Sequence, residues 1–74
     1  MNAKATGVHR YWLYLNHRPL STFETLREAK EAGLRCVGRG EVYIEAYPAG
    51  PSPIMYFRYD REVRDWVLSH DEPE

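Results

Sequence analysis

Residues 41–47 read Glu-Val-Tyr-Ile-Glu-Ala-Tyr, and the strict alternation of side-chain character in this stretch decides the fold. Successive side chains of an extended chain point to opposite sides, so Val42, Ile44 and Ala46 share one side while the tyrosines and Glu45 share the other. The stretch therefore predicts a half-buried strand, with its apolar residues facing a core.

The amino-terminal segment has the character of a second strand followed by a turn. Residues 8–15 are mostly β-branched, aromatic or aliphatic with a period near two, and residues 16–19, Asn-His-Arg-Pro, supply turn chemistry. Residues 20–23 are expected to pair back as a short arm, which is confined to a sheet edge because Pro19 has no amide donor.

A helix is predicted between these segments. Thr25 and Glu28 have the spacing of a capping box, in which the Thr25 hydroxyl accepts from the Glu28 amide and the Glu28 carboxylate accepts from the Thr25 amide. Helix formers dominate from Leu26 to about Val37, and Gly38 offers a carboxyl-terminal stop.

The carboxyl-terminal part has the pattern of a β-hairpin. Residues 54–59 and 64–69 flank Asp-Arg-Glu-Val over 60–63, which has the length of a four-residue loop. This arrangement places an aromatic pair and an opposite-charge pair across from each other, which favours it over a one-residue slip. The predicted cross-strand pairs are Tyr59 with Arg64, Phe57 with Trp66, Met55 with Leu68 and, on the opposite side, Arg58 with Asp65.

Together these elements predict an α+β fold of order β-α-β-β-β, with two layers, in which a mostly antiparallel sheet carries one α-helix on one face. The 74 residues suit a single domain over 8–69, between a disordered amino-terminal tail over 1–7 and a frayed acidic tail over 70–74. The predicted inner positions are Tyr11, Leu13, Leu15, Val42, Ile44, Ala46, Met55, Phe57, Trp66 and Leu68 on the strands, and Leu26, Ala29, Gly33 and Val37 on the helix.

The other side of the sheet gathers aromatic and charged side chains. One helix covers only one side, so this second face is expected to be open and to act as a contact surface, since Tyr and Trp are enriched at the energetic centres of interfaces. The same pattern also suits a purely structural role, because cross-strand aromatic pairs stabilise a solvated sheet face. The predicted binding residues are Trp12, Tyr14, Tyr43, Tyr47 and Tyr56 for apolar contact, with Arg10, Arg58 and Glu45 at the rim.

The pattern favours a non-catalytic protein-interaction module that binds a protein partner, or a second copy as a homodimer, through this face or a strand edge. The alternative is a domain that stacks single-stranded nucleic acid on the same aromatics. Arg10 and Arg58 are offset by Glu45 and Asp65, so a phosphate backbone finds little net attraction and protein is favoured. A small enzyme is the least favoured hypothesis.

Composition restricts the remaining classes. The net charge is −1. The single cysteine, Cys36, cannot form an internal disulfide, so a reducing cytoplasm is the expected location. No apolar run approaches the length of a membrane span, so no membrane association is expected. His9, His17 and His70 stand in no metal-binding spacing, and no metal, cofactor, catalytic residue or small-molecule substrate is expected.

Overall fold

Five antiparallel strands form one sheet with one helix on it, in a computed structural model that describes residues 8–48, 51 and 53–69. The elements are β1 (Val8–Leu15), β2 (Arg18–Phe23), α1 (Leu26–Leu34), β3 (Val42–Pro48), β4 (Met55–Asp60) and β5 (Asp65–Ser69). The spatial order is β2-β1-β3-β4-β5, so β3 is central and β2 and β5 are the edges. The α+β class is confirmed, with the element order β-β-α-β-β-β. The predicted tails over 1–7 and 70–74 lie outside the described residues.

The additional strand β2 exists because a tight turn returns the chain directly onto β1. Asn16 and His17 have φ angles of 52° and 67°, so both are left-handed, as a two-residue type I′ hairpin turn requires. Asn16 also accepts from the Glu41 amide through Oδ1 at 3.0 Å and donates its own amide to the Glu41 carbonyl at 2.8 Å. The short arm of the sequence prediction thus begins at Arg18, and Pro19 lies in an edge strand, as predicted.

Helix α1 begins as predicted and ends earlier. The Thr25 hydroxyl accepts from the Glu28 amide at 3.2 Å, which is the first half of the predicted capping box. Beyond Leu34 the chain tightens into i→i−3 hydrogen bonds, such as that from the Cys36 amide to the Gly33 carbonyl at 2.9 Å. This tightening ends the helix before Val37, the predicted end, and turns Cys36 into the core.

The core lies between α1 and the first three strands of the sheet order. Its buried members are Leu13, Ala29, Cys36, Val42 and Ile44. Helix α1 lies over β1, β2 and β3, and β4 and β5 extend beyond it, although the Trp66 ring of β5 reaches Gly33 of the helix. For this reason Leu68, a predicted inner residue, is 51% exposed although it lies on the helix side.

The register of the β4–β5 hairpin differs from the prediction by two residues. Tyr59 pairs with Trp66 instead of Arg64, and Phe57 pairs with Leu68 instead of Trp66. Arg58 correspondingly lies opposite Val67, so its predicted pairing with Asp65 is wrong, as is that of Met55 with Leu68. Because side chains alternate with a period of two, the shift leaves the paired residues of β4 and β5 on their predicted faces, while Arg64 lies in the turn.

Asp60 is the reason for the shift. Its Oδ1 accepts from the amides of Glu62 at 2.9 Å and Val63 at 3.1 Å, and its carbonyl accepts from the Arg64 amide at 2.7 Å. Arg64 is left-handed, with φ 62°. Asp60 therefore starts the turn as the last residue of β4, and the loop falls one residue later than predicted.

Replacing Gly33 by valine is expected to destabilise the protein. A Cβ at this position would lie 2.7 Å from Cη2 of Trp66 and 3.3 Å from Cδ1 of Leu13. Overpacking of this kind costs about 1–3 kcal/mol of unfolding free energy. In the matched control Gly38→Ala, a Cβ would meet nothing within 4 Å, and a change below about 0.5 kcal/mol is expected. Urea denaturation measures both variants, and equal stabilities would contradict the proposed contact.

Asp60 is expected to make the stability of the hairpin pH-dependent. The amide of Val63, followed by that of Glu62, lowers the pKa of Asp60 below its ordinary 3.8 in the folded state. The resulting stabilisation is present above pH 3.8 and is lost as the pH falls through the lowered value. Asp60→Asn keeps an oxygen acceptor without a titrating group. The difference in unfolding free energy between wild type and this variant should therefore shrink in acid. Parallel acid-denaturation curves for the two proteins would contradict this account.

Candidate functional site

The face of the sheet opposite α1, which we call the helix-free face, is organised around Glu45. Glu45 lies on the central strand β3, with Trp12 of β1 directly opposite on one side and Tyr56 of β4 directly opposite on the other. Tyr43 and Tyr47 are its neighbours on the same side of β3. The strand register thus surrounds one carboxylate with aromatic side chains.

The aromatic rings of this face contact one another. Tyr14 and Tyr43 are stacked, with ring centroids 4.9 Å apart and an interplanar angle of 7°. Tyr56 meets Tyr43 edge-on at 6.3 Å, and His17 does so at 5.6 Å. The Tyr43 hydroxyl also lies 3.4 Å from Nδ1 of His17. His17 was predicted only as a turn residue, because it is the geometry of the β1–β2 turn that brings its ring over Tyr43.

Mutual coverage buries three of the predicted binding residues. Tyr43 is 3% exposed, Tyr56 is 9% exposed and Glu45 is 7% exposed. The expectation that Glu45 stands at the rim is therefore wrong, because its cross-strand neighbours are aromatic rings that cover it. Alternation assigned the face correctly, but it carries no information on how far neighbouring rings cover one another.

The remaining predicted residues present the accessible part of the face. Trp12, Tyr14 and Tyr47 are half-buried, and Arg10 and Arg58 are exposed. The Trp12 and Tyr47 rings lie 6.4 Å apart at 52°. The structure therefore brings all of the predicted residues to one face, with a covered centre and an accessible surround.

The Glu45 carboxylate is only half satisfied by its surroundings. The hydroxyls of Tyr14 and Tyr47 hydrogen-bond to it. Its Oε1 is buried and has no hydrogen-bond partner among the described residues. Over the same part of the chain, neither Arg10 nor Arg58 forms an ion pair with it. A buried carboxylate oxygen without a partner costs free energy, so packing alone does not account for this residue.

The two tyrosines next to Glu45 have raised pKa values. For Tyr14 burial is the largest cause, followed by the hydrogen bond to Glu45 and the negative charge of that carboxylate. For Tyr47 the hydrogen bond to Glu45 comes first and burial second. Each effect favours the neutral phenol, which keeps both hydroxyls available as donors.

Other chemistry-bearing groups lie apart from this face. Cys36 is buried on the helix side, where its Sγ donates to the Ala32 carbonyl at 3.7 Å. Within residues 8–48, 51 and 53–69 no group of three or more His, Cys, Asp or Glu side chains could hold a metal ion. His70 lies outside the described residues, as does the side chain of His9.

A cleft lies where the sheet extends beyond the helix. This cleft between α1 and the β4–β5 hairpin has a volume of about 510 Å³. Its lining includes the apolar or aromatic residues Leu26, Tyr59 and Trp66 and charged residues of both signs, among them Arg27 and Asp65. No local pattern in the sequence predicts this cleft, because the position of the helix over the sheet depends on tertiary packing.

Comparisons of the chain with protein-family models, with curated proteins and with solved structures found no match. Among the described residues, no helix is long and apolar enough to cross a membrane.

The tyrosine titration is expected to depend on Glu45. In Glu45→Gln the pKa values of Tyr14 and Tyr47 should fall towards their ordinary 10.0, because the hydrogen bond to a carboxylate and its charge are lost. Since these values are raised in the folded state, their contribution to stability is present below pH 10.0 and is lost as the pH rises further. The pKa values of Tyr14 and Tyr47 are measured by following their NMR resonances against pH. Glu41→Gln is the control, because Glu41 is exposed. Identical titrations in wild type and Glu45→Gln would contradict the arrangement.

Proposed function

We propose that this protein is a non-catalytic protein-interaction module that binds a protein partner on the helix-free face. The observation that carries the proposal is Glu45, a buried and half-satisfied carboxylate at the centre of an aromatic face. Fold stability alone favours an apolar residue at such a position. A group of the partner that completes the hydrogen bonding of the carboxylate would account for a glutamate at this position.

The surround of Glu45 has the composition of an interface centre. Trp12, Tyr14 and Tyr47 offer large surfaces with few rotatable bonds, and Arg10 and Arg58 offer donors for orientation. Trp, Tyr and Arg are the residue types that dominate binding energy when they lie near the middle of an interface. The half-buried rings therefore provide contact area, and the arginines provide direction.

Charge favours protein over nucleic acid as the partner. A phosphate backbone crossing the centre of the face would meet the Glu45 carboxylate, which opposes the charge attraction on which nucleic-acid binding depends. The net charge of −1 adds no long-range attraction. A cytoplasmic location belongs to the same proposal and rests on the lone thiol of Cys36, which forms no disulfide within the chain.

A random peptide library displayed on phage is the direct test. Selected peptides are expected to lose about 30-fold or more in affinity for Trp12→Ala, the loss typical of an interface hot spot. Leu68→Ala is the matched control, because Leu68 is exposed on the other side of the sheet, and it should bind like wild type. Thermal unfolding of both variants verifies that they are folded.

Three further results, one from the library and two from separate measurements, are decisive for the proposal. Peptides that bind Trp12→Ala with wild-type affinity but no longer bind Leu68→Ala would place the binding surface on the helix side and contradict the proposal. Quenching of Trp12 fluorescence by a thymidine oligonucleotide, if it is lost at high salt, would favour the nucleic-acid alternative. Concentration-dependent dimerisation that Trp12→Ala abolishes would identify the partner as a second copy and support the proposal.

A further inference from the structure

Resting on the proposed function, we propose that the helix-free face binds an extended segment of its partner that presents one basic side chain to Glu45 and acidic side chains to Arg10 and Arg58. The ligand class is thus a peptide with the same-face charge pattern acidic, basic, acidic. It is recognised by charge complementarity along a line of three residues.

The strand register places these three residues on one diagonal of the sheet. Arg10 of β1 is opposite Tyr47 of β3, and Arg58 of β4 is opposite Tyr43 of β3. Glu45 lies midway between those two tyrosines. The diagonal therefore crosses β1, β3 and β4 in order, with positive, negative and positive charge.

The spacing of this diagonal matches an extended peptide. Diagonal neighbours on an antiparallel sheet are about 7–8 Å apart. In an extended chain every second residue points the same way, at a distance of about 6.4–6.8 Å. Residues i, i+2 and i+4 of a bound strand can therefore face Arg10, Glu45 and Arg58 at the same time.

A basic side chain is the group that Glu45 lacks. Its Oε1 is without a hydrogen-bond partner, and the side chain is more than nine-tenths buried, so a cation placed there meets little competition from water. The rings of Trp12, Tyr14 and Tyr56 add cation–π attraction to a guanidinium or ammonium group. Arginine suits the site best, because its planar fork donates two parallel hydrogen bonds to a carboxylate.

The flanking arginines select against a uniformly basic segment. Arg10 and Arg58 are exposed and, among the described residues, form no ion pair. A second or third basic side chain in the peptide would lie against one of them, whereas an acidic side chain would pair with it. Because Glu45 is 7% exposed, entry of the central cation requires one of the rings around the carboxylate to turn aside.

The test uses the acetylated, amidated peptide Ser-Asp-Thr-Arg-Thr-Asp-Ser and a matched peptide with citrulline, an uncharged isostere, in place of arginine. NMR titration follows the indole of Trp12, with the indole of Trp66 on the helix side as internal control. The arginine peptide is expected to bind about ten-fold or more tightly than the citrulline peptide. Glu45→Gln should remove most of that difference between the two peptides.

Charge exchange provides a second readout that does not depend on the buried residue. Arg58→Glu should weaken binding of the arginine peptide. Replacing one of the two aspartates of the peptide by lysine should restore its affinity for Arg58→Glu, whereas the same replacement should lower its affinity for wild type. Both single replacements are tested, because the direction of the bound strand is then read from which one restores affinity. Equal affinities for all peptides across wild type and Arg58→Glu would overturn the inference.

The outcomes separate this inference from the proposed function. Library peptides without a basic residue that depend on Trp12 but bind Glu45→Gln like wild type would overturn the inference and leave the interaction module intact. Failure of every peptide to shift the Trp12 indole, together with a library that yields no Trp12-dependent binder, would overturn both.

Discussion

Strand β3 is buried on both of its faces, and the rest of the structure is arranged around that constraint. Ile44 is fully buried on the helix side, while Tyr43 is almost fully buried on the other. Helix α1 covers the first, and neighbouring aromatic rings cover the second. Burial of an aliphatic side chain contributes about 1.5–3 kcal/mol, and each aromatic pair adds about 0.5–1.5 kcal/mol. A small chain with one short helix thus obtains a second, partial core from its own sheet.

This second core explains how the fold tolerates Glu45. An unsatisfied buried polar group costs about 1–3 kcal/mol, and more when it is charged. Tyr43 contacts the rings of Tyr14, His17 and Tyr56, and the sum of such contacts is of the same order as the cost. The face therefore folds without a ligand, yet it retains one oxygen that a ligand can satisfy. In the function proposed above, recognition would use the same aromatic side chains that stabilise the face.

The turns decide where these side chains meet. Asn16 and His17 close the β1–β2 hairpin and bring an imidazole over Tyr43, while Asn16 also holds the entrance of β3 at Glu41. Asp60 sets the register of the last two strands through its own hydrogen bonds. Hydrophobic alternation reports neither effect. It does not describe turn geometry, and a two-residue register shift leaves each side chain on the same face.

The sequence by itself determined the α+β class, the N-cap of the helix at Thr25 and the face to which each strand residue belongs. These features follow from side-chain periodicity and from hydrogen bonds between residues close in the chain, so local patterns are sufficient to predict them. Only the tertiary structure decided the hairpin register, the early end of α1 and the burial of Glu45. The register and the helix end depend on local hydrogen-bond geometry that side-chain periodicity does not encode, whereas the burial of Glu45 depends on aromatic rings from β1 and β4 that only the fold places next to it.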